Sequence, residues 1–290
     1  MLDFHCHSTC SDGTCTPEEL AARGRAFTAF ALTDHDTCAG CARFLAASAG
    51  AAGVRFAGVE LSVEPGAGYA KFHLLGLGLD PASPPLQAFL ARIRDGRTER
   101  NARILARLAA LGMPLTEADV RRHAGSAVVA RPHLARALME HGWATSVKDA
   151  FERILGDGKP AYVPRYRPLP EEAIAVIHAA GGLAVMAHPR YWTADETLLR
   201  TGLARLKDLG LDGVEALYFA NAPEETVLHL RTARALGLLV TAGSDFHGAN
   251  KPDVPLGMTV DDDAAFLAPL LASLSRHGTR VQAQSPFAGA

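Results

Sequence analysis

His5 and His7 lie one residue apart in the stretch HCHSTCSDGT, with Asp12 five residues beyond His7 and Cys6, Cys10 and Cys15 around them. Imidazoles and carboxylates can hold a metal ion or move a proton, and thiols offer zinc or redox chemistry. In an extended strand alternate side chains share a face, so His5 and His7 point the same way, with Asp3 on their side. Phe4 and Cys6 then point into apolar packing. Taken alone, H-x-H fits a metal site and an ordinary polar strand end equally well.

The pattern recurs along the chain. TDHD (33–36), Glu60, His73, His188 in AHP, and Asp245 and His247 in GSDFHG all fall in or at the ends of short apolar runs. Buried Asp, Glu and His are uncommon unless paired or ligating a metal, so ordinary strand-end polarity explains this set poorly. Nitrogen and carboxylate donors without thiolates suit Mn²⁺, Fe²⁺ or Zn²⁺. Adjacent ions can polarise a phosphoryl group and ionise a shared water.

The runs that carry these residues read as strands: 2–7, 30–35, 54–62, 72–79, 183–188, 213–217 and 238–245. Amphipathic helices such as PEELAARGRAF and EETVLHLRTARALG lie between most of them. This alternation predicts an α/β fold with parallel strands and crossover helices, a (β/α) barrel of about seven units, whose active site sits at the C-terminal strand ends. Residues 98–165 break the rhythm. ERNARILARLAALG, TEADVRRHAG, RPHLARALMEHG and SVKDAFERILG are helical patterns without strands, punctuated by Pro114 and by Gly112, Gly125, Gly142 and Gly156. They predict a small inserted helical subdomain, with the barrel formed by 1–97 and 166–290.

Hydrophobic residues make up 48% of the 290, enough for one large core with an appended module. A formal net charge of −2 argues against an electrostatic DNA binder, so no stable DNA complex is expected. No apolar run is long enough to span a bilayer and no export signal is visible, which predicts a cytoplasmic protein without a membrane partner. Five cysteines, an odd number, predict free thiols.

HCHSTCSDGT, ALTDHDT, VELS, HLLGLGLD, MAHP and GSDFHG, taken in order, resemble the polymerase-and-histidinol-phosphatase (PHP) family of metal-dependent phosphoesterases. The resemblance implies a distorted (β/α)7 barrel with two or three clustered divalent ions, Mn²⁺ first, with Fe²⁺ or Zn²⁺ as alternatives. It implies that His5, His7, Glu60 and Asp245 hold one ion. Glu60 bridges to a second ion held by His73 and His188, and Asp12, His35 and His247 hold a third. Trinuclear members often carry histidine where this chain has Asp12.

ARPHLARAL followed by GKPAYVP further resembles the PHP proteins that act on nucleoside 3′,5′-bisphosphates and short 5′-phosphorylated RNA. On that resemblance the insert supplies substrate contacts, for which Arg131, His133, Lys159, Arg165 and Lys251 are the candidates. Arg131 precedes Pro132 at a helix N-terminus, where backbone N–H groups also favour anions. The expected reaction is hydrolysis of the 3′-phosphate by a hydroxide held at the ions. His35, Asp36 and His247 are candidates for protonating the leaving alkoxide. A 5′-to-3′ exoribonuclease, a histidinol-phosphate phosphatase and a non-catalytic metal or nucleotide sensor are the alternatives.

Cys38-Ala-Gly-Cys41 lacks a matching second pair and reads as packing. His123, His141, His178, His229 and His277 read as surface or satisfied histidines. Glu215, at a strand end, fits a structural and a site-supporting role equally.

Overall fold

The computed structural model describes residues 1–64, 71–124 and 129–276; His277 and Gly125 lie outside them. The chain divides into two units, Met1–Phe89 with Arg167–Ala290, and Leu90–Tyr166. The boundary falls inside a helix rather than at residue 98.

The first unit is built on a seven-stranded sheet in sequential order: β1 (Leu2–Asp3), β2 (Ala29–Leu32), β3 (Val54–Val63), β4 (Phe72–Leu77), β5 (Leu183–Met186), β6 (Gly213–Tyr218) and β7 (Leu239–Gly243). Backbone bonds from Phe4 N–H to Ala242 O and from Asp245 N–H to His5 O, 2.9 and 2.8 Å, join its first and last strands. Helices α1 (Pro17–Arg23) and α2 (Cys41–Ala47) follow the first two strands. Thr16 and Glu19 start α1 as a reciprocal capping pair ahead of Pro17.

Every neighbouring pair is parallel except those of β4, which runs antiparallel to both β3 and β5. The sequence predicted parallel strands throughout. The stretch between β3 and β4, residues 64–71, is too short for the dozen-residue crossover that a parallel return requires, so β4 comes back as the second arm of a hairpin.

The strands are buried on both faces, and alternate side chains point into the barrel. Leu2, Phe4, Ala29, Ala31, Val54, Phe56, Leu75, Leu77, Leu183, Val185 and Ala242 form one apolar cluster, closed by Leu267, Leu270 and Leu274. The even-numbered positions of β3 and the odd-numbered positions of β4 lie in this core, so Glu60 and His73 continue the same inward rows.

Helix α3 (Pro84–Ala110) runs 27 residues and carries the chain into the second unit. Gly96 does not interrupt it; a Cβ there would stand 3.1 Å from Cβ of Tyr166, so the glycine admits a close neighbour. The second unit continues with α4 (Glu117–Ala124), α5 (Arg131–Glu140) and α6 (Val147–Ala150), the last running into a π turn at Phe151–Leu155. Its own core gathers Ile104, Leu108, Val120, Leu134, Leu138, Ile154 and Val163, among others. The first unit resumes with α7 (Pro170–Ala179), then α8 (Glu196–Asp208) and α9 (Pro223–Leu236) on either side of β6, and α10 (Asp263–Arg276). No helix among the described residues is long and apolar enough to cross a membrane.

Candidate metal centre

All nine sequence-predicted ligands meet in one cluster at a single rim of the barrel. Their donor atoms fall into four overlapping groups: His7, Asp12, His35 and His247; His5, His7 and Asp245; His5, Glu60 and His188; and His35, Glu60 and His73. The reversed β4 explains His73. It sits at the start of that strand, paired with Ser62, and reaches the rim that the other strands reach with their ends.

Glu60 is the hub and is fully buried. Its Oε1 lies 2.7 Å from His73 Nδ1 and 3.0 Å from His188 Nε2. Its Oε2 lies 2.8 Å from His35 Nδ1, 3.2 Å from His7 Nε2 and 3.3 Å from His5 Nε2. Asp245 Oδ1 approaches His7 Nε2 at 3.3 Å and His5 Nε2 at 3.6 Å. Asp12 Oδ1 stands 3.3 Å from His247 Nε2.

The outer hydrogen bonds decide which nitrogen points inward with a lone pair. Glu215, buried on β6, accepts from His5 Nδ1 at 3.0 Å and from the His188 backbone N–H at 2.7 Å. A carboxylate only accepts, so His5 carries its proton on Nδ1. The Asp245 carbonyl likewise accepts from His247 Nδ1 at 2.8 Å. Asp34 accepts from the Ser8 and Ser11 hydroxyls and from Ser8 N–H, and the Ser11 hydroxyl oxygen in turn stands 3.4 Å from His7 Nδ1. The inward atoms His5 Nε2 and His7 Nε2 are then both acceptors, yet they lie 3.1 Å apart and face two carboxylates. Glu60 Oε2, Asp12 Oδ1 and His35 Nδ1 are buried without a properly directed hydrogen bond.

Buried acceptors facing one another repel and demand cations between them, protons or metal ions. The direction of each titration agrees. Burial opposes charging of His5 and His7, but the surrounding carboxylates outweigh it. They hold His5 well above its ordinary value and His7 at about 9. Burial would raise Glu60 and Asp245, but the imidazoles hold both well below the usual carboxylate range. Burial keeps His73 and His247 below their ordinary values. The oxygen and nitrogen donors, with second-row partners fixing the tautomers, fit divalent metal ions.

Asp245 and His188 hold left-handed backbone, at φ 59° and 29°, where only glycine is unstrained. Gly243 admits the hub's support closely: a Cβ there would stand 2.0 Å from Glu215 Oε1 and 2.5 Å from His5 Cβ.

The remaining candidates belong to none of these ligand groups. Asp36 is fully buried at φ 52° and its carboxylate accepts Ser62 N–H at 3.2 Å; it belongs to none of the ligand groups. Asp3 turns to Ser244 and Gly257, joining the first strand to the last; burial pushes its carboxyl up to about 6. Lys251 places Nζ 2.6 Å from Asp245 Oδ2. Arg131, His133, Lys159 and Arg165 lie in the helical unit. There Arg131 pairs with Asp157 at 3.1 Å and lies over the Phe151 and Tyr162 rings. Buried His133 accepts Ala130 N–H at the start of α5, and Lys159 is exposed. All five cysteines are free, and Cys38 and Cys41 both donate to Gly58 O. His178 bonds Asp212, His123 bonds Glu140 and His229 meets Asn221.

A cavity of about 270 Å³ adjoins the cluster, lined by His35, Glu60, His73, His188 and Asp245 on one side. Lys71, Phe72, Lys251, Tyr191 and Trp192 line the rest. The sequence reading passed over Tyr191 and Lys71, because neither sits in a strand-end motif. Asp34 was within reach: TDHD carries it two residues before Asp36.

Residues 3–106 match the PHP domain. The chain is 36% identical over 264 residues to a 3′,5′-nucleoside bisphosphate phosphatase from Chromobacterium violaceum, covering 90% of this chain and 92% of that protein. It is 35% identical over 256 residues to the 5′-3′ exoribonuclease Rnm of Salmonella typhimurium, covering 85% of each. A solved structure from Chromobacterium violaceum, described as an amidohydrolase with bound sulfate and no metal, superposes with a TM-score of 0.79 at 34% identity, over 94% of this chain and 96% of that one. With the motifs in order, the ligand cluster assembled on one rim and relatives matched over nearly their whole length, this chain belongs to the PHP-domain family of metal-dependent phosphoester hydrolases.

Proposed function

We propose that the protein hydrolyses the 3′-phosphate of nucleoside 3′,5′-bisphosphates, giving a nucleoside 5′-monophosphate and inorganic phosphate. The observation that carries this reading is the Glu60-centred cluster opening onto a cavity that is also lined by two lysines and by Phe72, Tyr191 and Trp192. Such a site offers one place for the phosphoryl group to react and cationic and flat surfaces for the rest of a small nucleotide. The relative named a 3′,5′-nucleoside bisphosphate phosphatase supports the substrate.

His5, His7, Glu60 and Asp245 would hold one divalent ion, His73 and His188 with Glu60 a second, and Asp12, His35 and His247 a third. We take Mn²⁺ as the metal. When bound, such ions ionise water near neutral pH and offset charge on phosphoryl oxygens. The chain's own residues fix that arrangement. Glu215, Asp34 with Ser11, and the Asp245 carbonyl hold three imidazoles in the tautomers that face their lone pairs inward. Lys251 and Lys71 place positive charge beside the cluster, where Lys serves as a point donor to phosphate. In the net reaction water adds to phosphorus, the P–O3′ bond breaks, and the leaving alkoxide takes a proton. His35 lines the cavity and is partly exposed, so it is the better placed donor of the three candidates; Asp36 is sealed. Within the helical unit, Arg131, His133, Lys159 and Arg165 are the proposed phosphate contacts.

Protein loaded with Mn²⁺ should release phosphate from adenosine 3′,5′-bisphosphate, and Asp245→Asn should reduce turnover to background with its circular dichroism unchanged. Turnover no better than that of simple phosphate esters refutes the substrate. The Rnm relatives favour a second reading, stepwise digestion of short 5′-phosphorylated RNA. An end-labelled oligomer compared with the bisphosphate decides between the two.

A further inference from the structure

Strand β6 delivers two side chains to the rim, Glu215 and Tyr218. In a regular strand, residues three apart point to opposite faces. Here Val214 pairs with Val240 of β7 and Leu217 with Ala242, so β6 holds one residue more than β7 over that span. The extra residue is a bulge, and it re-aims Tyr218 toward the cluster. Tyr218 is buried at the end of β6, and its ring meets those of His188 and Tyr191 edge-on, at 5.7 and 5.9 Å.

The Tyr218 hydroxyl donates to Asp245 Oδ2 at 3.0 Å. Lys251 Nζ donates to the same oxygen at 2.6 Å. The other oxygen, Oδ1, is the one that faces His7 Nε2, His5 Nε2 and His247 Nδ1, at 3.3, 3.6 and 3.4 Å. The two oxygens of one carboxylate thus have separate tasks. The donors on Oδ2 also differ in kind. Tyr218 is held by rings on two sides, whereas the Lys251 side chain is 39% exposed and lines the cavity beside the cluster. An ammonium carries three donors on a flexible stem, a phenol one donor on a rigid ring. Asp245 sits on left-handed backbone at φ 59°, a conformation that persists only where neighbours over-determine it.

We propose that Tyr218 is a positioning residue: its hydroxyl keeps Asp245 Oδ2 turned away from the ion site, leaving Oδ1 as the single oxygen offered there, and goes on doing so when Lys251 moves from Asp245 to a substrate phosphate. The first half concerns the protein and its ions alone. The second half rests on the role proposed above for Lys251.

Tyr218→Phe keeps the ring and removes the donor. A carboxylate freed to offer both oxygens changes the coordination number of a bound ion, which the visible absorption of Co²⁺-loaded protein reports. Chelator-stripped Tyr218→Phe should bind Mn²⁺ about threefold to tenfold more weakly than wild type, and its Co²⁺ spectrum should differ. Lys251→Met should keep the wild-type Co²⁺ spectrum, because Tyr218 still holds Oδ2, and the double variant should show the largest change. Wild-type Mn²⁺ affinity and an unchanged Co²⁺ spectrum in Tyr218→Phe overturn the proposal. An altered Co²⁺ spectrum in Lys251→Met overturns it too, and that measurement does not depend on how Tyr218→Phe folds. With adenosine 3′,5′-bisphosphate, Tyr218→Phe should raise KM about threefold, since Lys251 then leaves a bare oxygen behind; an unchanged KM overturns the second half. No bisphosphate turnover by wild type sinks that substrate and the second half with it, while the metal readouts still decide the first.

Discussion

Replacing Glu215 by glutamine tests whether the outer hydrogen bonds control the cluster. The substitution keeps the shape and removes one acceptor. Glu215 accepts from two donors, His5 Nδ1–H and the His188 backbone N–H. Glutamine can accept only one of them, and its NH₂ then faces the other. If the amide keeps His188, its NH₂ meets His5 Nδ1, and His5 must move its proton to Nε2, the atom 3.1 Å from His7 Nε2 and directed at Glu60 and Asp245. If it keeps His5, the His188 N–H loses its partner at a residue already at φ 29°. Either route loses one charge-assisted bond at a fully buried site, about 1.5–3 kcal/mol. That corresponds to roughly tenfold to a hundredfold weaker metal binding, the range found when an outer partner of a ligating histidine is removed. Affinity is read by titrating chelator-stripped protein with Mn²⁺, alongside kcat at saturating metal and a thermal melt. Metal affinity and kcat both within twofold of wild type would refute the claim that Glu215 fixes His5.

Stripped protein should respond oppositely to pH from loaded protein. His7 is raised to about 9 in the absence of ions, so its protonation stabilises that fold fully below its ordinary 6.5 and is lost as pH rises toward 9. Melts across that window should show this contribution fading only in chelator, and Mn²⁺ binding should release protons and tighten with rising pH. Gly243→Ala should lower bound metal and destabilise by about 1–3 kcal/mol, because the new Cβ overlaps Glu215 Oε1; elemental analysis and a melt check both. Ser11→Ala should weaken metal binding several-fold through His7 while leaving the melt of stripped protein nearly unchanged.

The ligands were legible because chemistry demands costly residue types at strand ends, and His5, Glu60, His188 and Asp245 stand out against apolar runs. Their assembly was legible only as far as the barrel was. The reversal of β4 was not, because a short, mostly apolar run reads alike in either direction. The sequence reading assigned no element between 80 and 97, whereas α3 starts at Pro84 and runs through Gly96. Asp12 rested on family resemblance, as no periodicity places a loop carboxylate. Glu215 was ambiguous because its task, bonding a ring from a strand more than two hundred residues away, exists only in three dimensions.

The join between the first and last strands passes through the residues that carry the ligands: His5 offers its carbonyl to Asp245 N–H, and Asp3 holds Ser244 from 241 positions away in sequence. Loop closure over such a span comes late in folding. The ligand groups that use Asp245 and His247 are therefore complete only when this join has closed, so sealing the barrel and assembling those groups are a single event.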